Sequence, residues 1–331
     1  MILSELIEGE LVSGTHGDLT VNISGVRTDS RKVREGDIYC AQIDQYHDGM
    51  AYISDALAKG AAAIVCEPVP SPLPDASCII VPNAAIAAAN LSSRLLGYPS
   101  RQLELVGVTG TNGKTTTALI LRAILAVARK NWGVLGTTVG ARWLDRHVQT
   151  GLTTPEAPEL QAILAAMVND KVDVCAMEVS SHGIALHRVA ACEFAVGIFT
   201  GLGRDHLDFH ESIEAYADTK INWLLGEVQQ SQTLKGLVAP ADDPYGQEVL
   251  SEFRYPTMTF GFDESADIYP IDLELTPNGT KGRISTPIGT LTVTLKLPGR
   301  HNLRNAMAAI GAALLLDIEP IDIVDGLMRV P

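Results

Sequence analysis

Between residues 103 and 109 the chain reads Leu-Glu-Leu-Val-Gly-Val-Thr, a short, largely apolar run that stops at a glycine-rich turn. Such a run predicts a strand buried on both faces. Residues 115–128 then place apolar side chains at helical spacing and predict a helix. Further apolar runs at 132–135, 172–179 and 194–199 predict strands, with a helix over 158–168 between them. Strands and helices alternating in this way imply an α/β fold whose mainly parallel sheet is covered on both faces. Before residue 100 the pattern is shorter and more mixed. Strands are predicted at 37–41, 61–66 and 78–81, and helices at 52–59 and 84–96. Toward the end, 271–275, 282–285 and 291–297 predict an antiparallel hairpin region. There Leu291, Val293, Leu295 and Leu297 alternate with polar residues, and Asn278-Gly279 is a turn signal. An Ala- and Leu-rich helix is predicted over 302–316.

The change of texture places a domain boundary near residue 100. A small mixed α/β domain is expected over 1–100, and a larger domain of the phosphate-loop type over 101–331. Pro68, Pro70, Pro72 and Pro74, at alternate positions, mark a stiff surface loop inside the first. The chain has 331 residues, 46% of them hydrophobic and 19% charged, which excludes a mostly disordered protein. No apolar run reaches the roughly 20 residues of a membrane-spanning helix. The acidic start MILSELIEGE is not a secretory signal. With 25 Lys and Arg against 39 Asp and Glu, the formal charge is -14, so nucleic acid is a poor partner. Cys40, Cys66, Cys78, Cys175 and Cys192 show no CxxC spacing and sit among apolar or small residues. They read as buried thiols of a reduced, cytoplasmic protein.

The sharpest chemical feature is Thr109-Gly110-Thr111-Asn112-Gly113-Lys114-Thr115-Thr116-Thr117, between the strand and the helix. Small residues let backbone N–H groups curl around phosphate oxygens, and the helix N-terminus adds positive potential. Lys114 supplies a point charge, and Thr115 places a hydroxyl where Mg2+ accompanies a nucleotide. The strict P-loop pattern has glycine where this chain has Val108, so the loop is a variant. A second feature is Met177-Glu178-Val179-Ser180-Ser181-His182 at the end of a predicted strand, where open α/β sheets bind ligands. A carboxylate there suits Mg2+ beside phosphates. His206 and His210 in Arg204-Asp205-His206-Leu207-Asp208-Phe209-His210 are spaced as a zinc pair but lack the HExxH arrangement.

TGTNGKTTT at 109–117 resembles the ATP loop of the Mur ligase family, the ATP-dependent amide ligases of peptidoglycan synthesis. The resemblance extends along the whole chain. MEVSSH at 177–182 is similar to the members that add the third residue of the stem peptide. It implies that ATP phosphorylates the D-Glu side chain of UDP-N-acetylmuramoyl-L-Ala-D-Glu and that a diamino acid then attacks the acyl phosphate. Meso-diaminopimelate is favoured over L-lysine. It implies that Thr115, Glu178, His206 and a carbamylated Lys220 hold two Mg2+, with Lys114, Lys220, His206 and Glu178 as the catalytic set. Gly110, Thr111, Asn112, Gly113, Lys114, Thr115 and Thr116 would bind ATP, with Asn302 of Gly299-Arg300-His301-Asn302 near adenine. Thr28 and Ser30 of Thr28-Asp29-Ser30-Arg31, with Gln45, Tyr46 and His47, would hold the uridine nucleotide. Thr153, Thr154, Ser180 and Arg188 would contact the muramoyl peptide. A monomer in the cytoplasm is expected.

The chain departs from the family pattern at Gly201 and Pro240, where asparagine is usual, and at Asp44, where glycine is usual. Relatives continue past the Met328-Arg329-Val330-Pro331 junction. The chain is therefore expected to lack the C-terminal amino-acid-binding domain, and to bind ligands while ligating poorly alone. Two other readings stay open at this point. One is an amide ligase like folylpolyglutamate synthetase, which shares the phosphate loop. The other is a noncatalytic protein that binds a nucleotide and a UDP-sugar.

Overall fold

A computed structural model describes the chain except for residues 45–47, 68, 71, 73, 129, 204, 206–208, 229–233 and 331. Its contacts divide into two compact units. The first is Met1–Pro99 with Pro155–Ala166 and Ala185–Cys192; the second is Ser100–Thr154, Met167–Ile184 and Glu193–Pro331.

The first unit contains α1 (Leu3–Leu6), β1 (Gly14–His16), β2 (Gly25–Arg27), β3 (Asp37–Ala41), α2 (Ile53–Ala58), β4 (Ala63–Cys66), β5 (Ser77–Ile80) and α3 (Ala84–Leu95). Its five-stranded sheet has the order β1-β5-β4-β3-β2. β2 to β5 run parallel, and β1 closes the edge antiparallel to β5. Every residue of β3 and β4 is buried. Ile38, Val65 and Ile79 pack with Ala87, Ala88 and Leu91 of α3. Tyr39, Ile64, Cys66 and Cys78 pack with Ile53 and Ala56 of α2. Asn83 caps α3, its side chain accepting from Ile86 N at 2.8 Å. The expected proline loop lies partly outside the described residues. All five cysteines are buried and none is in a disulfide.

The second unit opens with β6 (Glu104–Thr109), α4 (Lys114–Val127), β7 (Trp132–Gly136), β8 (Gly140–Trp143) and β9 (Arg146–Val148). After α5 (Ala157–Asn169), whose residues as far as Ala166 belong to the first unit, come β10 (Val174–Glu178), α6 (Ser181–Ala185), β11 (Val196–Phe199), α7 (Ile213–Trp223), β12 (Gly236–Pro240), α8 (Pro244–Glu252) and β13 (Thr257–Phe260). The eight-stranded sheet is ordered β13-β12-β11-β6-β10-β7-β8-β9. β13 through β7 are parallel; the apolar runs predict β6, β7, β10 and β11 of these, while β12 and β13 were not read from the sequence. β8 and β9 add an antiparallel hairpin that periodicity did not reveal. β6 lies between β10 and β11, so its C-terminal end opens at the middle of the sheet.

The chain ends with β14 (Tyr269–Thr276), β15 (Gly279–Thr286), β16 (Gly289–Leu295), α9 (Arg300–Leu315) and α10 (Pro320–Met328). The last three strands form a separate antiparallel sheet, as expected. Thr276 pairs with Gly279, so Pro277-Asn278 makes the turn, one residue earlier than Asn278-Gly279 would place it. Leu291, Val293 and Leu295 join one core with Ile120, Leu121 and Ile124 of α4, Met307 and Ile310 of α9, and Ile323 and Leu327 of α10. Gly326 lets α10 approach α4 closely, because a Cβ there would meet the Ile124 backbone. Among the described residues no helix is long and apolar enough to cross a membrane.

Candidate functional site

β6 ends at Thr109, and α4 starts five residues later at Lys114. The intervening loop needs glycine twice. Gly110 has φ 138° and Gly113 φ 88°, conformations that L side chains rarely adopt. A Cβ at Gly110 would run into Thr200 Oγ1, and one at Gly113 into the Asn305 amide. Thr200 Oγ1 in turn donates to Asn112 O at 2.6 Å. Thr111 N donates to Gly201 O at 3.0 Å. Thr111 Oγ1 accepts from Gly203 N at 2.8 Å and lies 3.1 Å from Tyr216 OH. The loop is thus tied to the segment after β11 and to α7.

Two lysines converge on this loop. Lys114 Nζ donates to Gly110 O and Thr111 O, both at 2.9 Å. Lys220, 1% exposed on α7, reaches Gly110 O at 3.3 Å and Thr109 Oγ1 at 3.4 Å, with Nζ 4.7 Å from the centre of the Tyr216 ring. Burial pushes the Lys114 ammonium below the ordinary lysine value, and Glu178 and Asp205 oppose the shift. Burial, and then the charge of Lys114, push Lys220 well below that value. Lys114 and Lys220 converge on one carbonyl, and Lys114 places a positive charge at the loop that attracts an anion in a chain of formal charge -14.

Glu178, at the end of β10 and 2% exposed, faces the first turn of α4. Its Oε1 accepts from Thr115 Oγ1 at 2.8 Å and from Thr137 N at 2.9 Å, and its Oε2 from Thr137 Oγ1 at 3.2 Å. Gly136 makes room for it, since a Cβ there would collide with Oε1. Because Thr115 gives its proton to Glu178, its oxygen lone pairs stay available to a hard cation. A hydroxyl and a carboxylate are the donor types Mg2+ takes, with phosphates and waters completing its shell. The donor set therefore fits Mg2+, although the described residues contain no cluster of three or more His, Cys, Asp or Glu. His206 lies outside the described residues.

Thr154 is wholly buried. It donates to Glu178 O at 3.0 Å, accepts from Ser180 N at 3.1 Å and lies 3.1 Å from Ser180 Oγ. Ser180 Oγ accepts from Gly183 N at 3.0 Å in α6. Thr153 Oγ1 is 2.9 Å from Thr137 Oγ1. Thr153, Thr154, Ser180, Glu178 and Thr115 thus form one hydrogen-bonded group. Asn302 sits in the first turn of α9, donating to Pro298 O at 2.8 Å; its neighbour Asn305 contacts the phosphate loop.

In the first unit a pocket of about 530 Å³ is lined by Thr28, by the cations Arg27, Arg31, Lys32 and Arg34, and by the carboxylates Asp29, Glu156 and Glu159. Arg31 grips Asp29 with two bonds of 2.9 Å, holding that carboxyl below the usual range. Ser30 is buried, its carbonyl accepting from Lys59 Nζ at 3.0 Å. Arg188 pairs with Glu156 at 2.9 Å. Gln45, Tyr46 and His47 lie outside the described residues. Sequence reasoning missed Thr137, Thr200 and Tyr216. Thr137 and Thr200 carried a signal, each standing directly after a parallel strand, and Tyr216 carried none.

Residues 108–313 match the Mur ligase middle domain, and residues 22–94 the catalytic domain of the Mur ligase family. The chain is 38% identical over 308 residues to a UDP-N-acetylmuramoyl-L-alanyl-D-glutamate–2,6-diaminopimelate ligase of Gloeobacter violaceus, covering 93% of this chain and 62% of that protein. It is 34% identical over 333 residues to the ligase of the same name from Syntrophomonas wolfei, covering 100% of this chain and 67% of the relative. A solved structure of a ligase of that name superposes with a TM-score of 0.86 at 26% identity, over 100% of this chain and 67% of the other. The variant phosphate loop, the strand-end carboxylate facing it and these matches lead to one conclusion: the chain belongs to the Mur ligase family.

Proposed function

We propose that the chain forms the nucleotide- and UDP-muramoyl-peptide-binding part of an ATP-dependent ligase that adds a diamino acid to UDP-N-acetylmuramoyl-L-Ala-D-Glu. The observation that carries this is the convergence of Lys114 and Lys220 on the loop beside the Thr115–Glu178 pair. The relatives' names support diaminopimelate as the amine. Residues 1–100 serve as the uridine-nucleotide domain, with Thr28, Ser30, Gln45, Tyr46 and His47 on that nucleotide, and residues 101–331 serve as the ATP domain. The protein acts as a monomer in the cytoplasm.

The loop residues Gly110 to Thr116 hold the ATP phosphates, chiefly through the N–H groups from Asn112 onward because Thr111 N donates to Gly201 O, and Lys114 leaves its carbonyl partners to neutralise charge on the transferring phosphoryl group. The D-Glu carboxylate oxygen attacks the γ-phosphorus, the bond to ADP breaks, and an acyl phosphate forms. The amine then attacks the acyl carbon. A tetrahedral intermediate collapses, phosphate leaves, and the amine proton passes to solvent or a nearby base. Thr153, Thr154, Ser180 and Arg188 orient the muramoyl peptide, which makes positioning a large part of the rate. Thr115, Glu178, His206 and a carbamylated Lys220 would hold two Mg2+, which would supply charge neutralisation for the phosphates. The buried amine of Lys220, disfavoured as an ammonium, is the form that reacts with CO2. Asn302 lies toward the adenine.

Hydroxylamine trapping tests this reading. ATP-dependent formation of the hydroxamate of UDP-N-acetylmuramoyl-L-Ala-D-Glu is expected. Binding of both ligands with no hydroxamate would point instead to a noncatalytic protein. Hydroxamate formed only with a folate substrate would point to the folylpolyglutamate chemistry.

A further inference from the structure

Glu178 is the one carboxylate against the first turn of α4 among the contacts described above, and two of its three donors come from a single residue, Thr137. The backbone N–H of Thr137 fixes Oε1, and its hydroxyl fixes Oε2. A carboxylate clamped through both oxygens cannot rotate about its last bond without losing a partner. The clamp is built on the end of β7, which pairs with β10 in register up to Leu135 and Met177, directly before the residues involved. Gly136 removes the side chain that would otherwise push the carboxylate away.

The direction of each proton follows. A carboxylate only accepts, so Thr137 spends its single hydroxyl proton on Glu178. The 2.9 Å contact between the Thr137 and Thr153 hydroxyls is then carried by the Thr153 proton. Thr153 consequently presents lone pairs to whatever lies beyond it and serves there as an acceptor.

We infer that Thr137 is a positioning residue: it holds Glu178 in the orientation that shares a cation with Thr115, and it orients Thr153 as an acceptor toward the second substrate. This rests on the proposal that the loop binds ATP with Mg2+. Thr137 is itself exposed, so replacing it does not open a cavity in the core.

Calorimetric titration of the chain with ATP, once in excess Mg2+ and once in EDTA, gives the ratio of the two affinities. T137V keeps the shape and the backbone N–H and removes only the hydroxyl. It is expected to lower that ratio roughly tenfold, the lower end of what removing a partner of a metal ligand costs. The affinity in EDTA and the unfolding midpoint are expected to stay as in the unaltered chain. T137S, which keeps the hydroxyl, is expected to restore the ratio. An unchanged ratio in T137V, or equal losses in Mg2+ and EDTA, overturns the role of Thr137 while nucleotide binding stands. Failure of the unaltered chain to bind ATP at all refutes nucleotide binding itself, and this inference with it.

Discussion

Gly113→Ala is the substitution that most sharply separates a phosphate loop from an ordinary glycine turn. Gly113 caps α4 at φ 88° and ψ -10°, outside the helical region. Holding an alanine there costs roughly 1–2 kcal/mol. The new methyl also runs into the Asn305 amide, which is 8% exposed on α9 and has little room to retreat. Overpacking of this kind costs about 1–3 kcal/mol. Together the two effects predict a loss of roughly 2–5 kcal/mol, with the first turn of α4 and Lys114 displaced. The chain has three tryptophans, Trp132, Trp143 and Trp223, and all lie in the second unit, so their fluorescence in urea reports that unit alone. Gly151→Ala is the control. No atom lies within 4 Å of its Cβ position, and a change within about 0.5 kcal/mol is expected. ATP affinity is measured on the same samples. Unaltered stability and ATP affinity in Gly113→Ala would refute the reasoning.

Other consequences are equally specific. Gly326→Ala gains about 1 kcal/mol of helix propensity but drives a methyl into the Ile124 backbone at a cost of about 1–3 kcal/mol, so a net loss of up to about 2 kcal/mol and no gain is expected in the same fluorescence transition. Asp37→Ala removes a carboxylate that is 2% exposed, pairs with Arg27 at 3.0 Å and accepts from Arg34 N at 3.0 Å. A loss of roughly 2–4 kcal/mol, read by circular dichroism in urea, is expected, because Arg27 is left half-buried without its partner. The Tyr39 phenol donates to Gly49 O at 3.0 Å, and burial pushes it up to about 12. Its folded value lies above its unfolded value near 10, so its stabilising effect is complete below pH 10 and fades as the pH rises to about 12. Burial also raises Tyr216, so Tyr39→Phe should remove one phenol from those titrating in the high range of the tyrosinate absorbance curve.

The parts of this protein that could be read from its sequence are those whose cause is local. β6, the loop and α4 announce themselves because an apolar run, two glycines and a lysine lie within a dozen residues. Glu178 could be placed at a ligand-binding edge because β10 is a nearly unbroken apolar run. The β8–β9 hairpin was not legible: its strands are three and four residues long and its polar residues do not alternate cleanly. Thr137 looked like any threonine after a strand until Glu178, 41 residues away, was found against it. The role of Gly326 depends on the approach of α10 to α4, a contact between distant segments that no periodicity records. The displaced turn at Pro277-Asn278 shows register being decided by cross-strand pairing rather than by the preferred dipeptide.

The central claim is that ATP phosphates occupy the Gly110–Thr115 loop and that Thr115 and Glu178 share a Mg2+ beside them. Crystals of the chain with Mg2+ and a non-hydrolysable ATP analogue test it most directly. The account predicts phosphate oxygens on the loop N–H groups, Lys114 Nζ turned from Gly110 O toward them, and Mg2+ bound by Thr115 Oγ1 and Glu178. A nucleotide bound elsewhere, or a Mg2+ that touches neither residue, would contradict it.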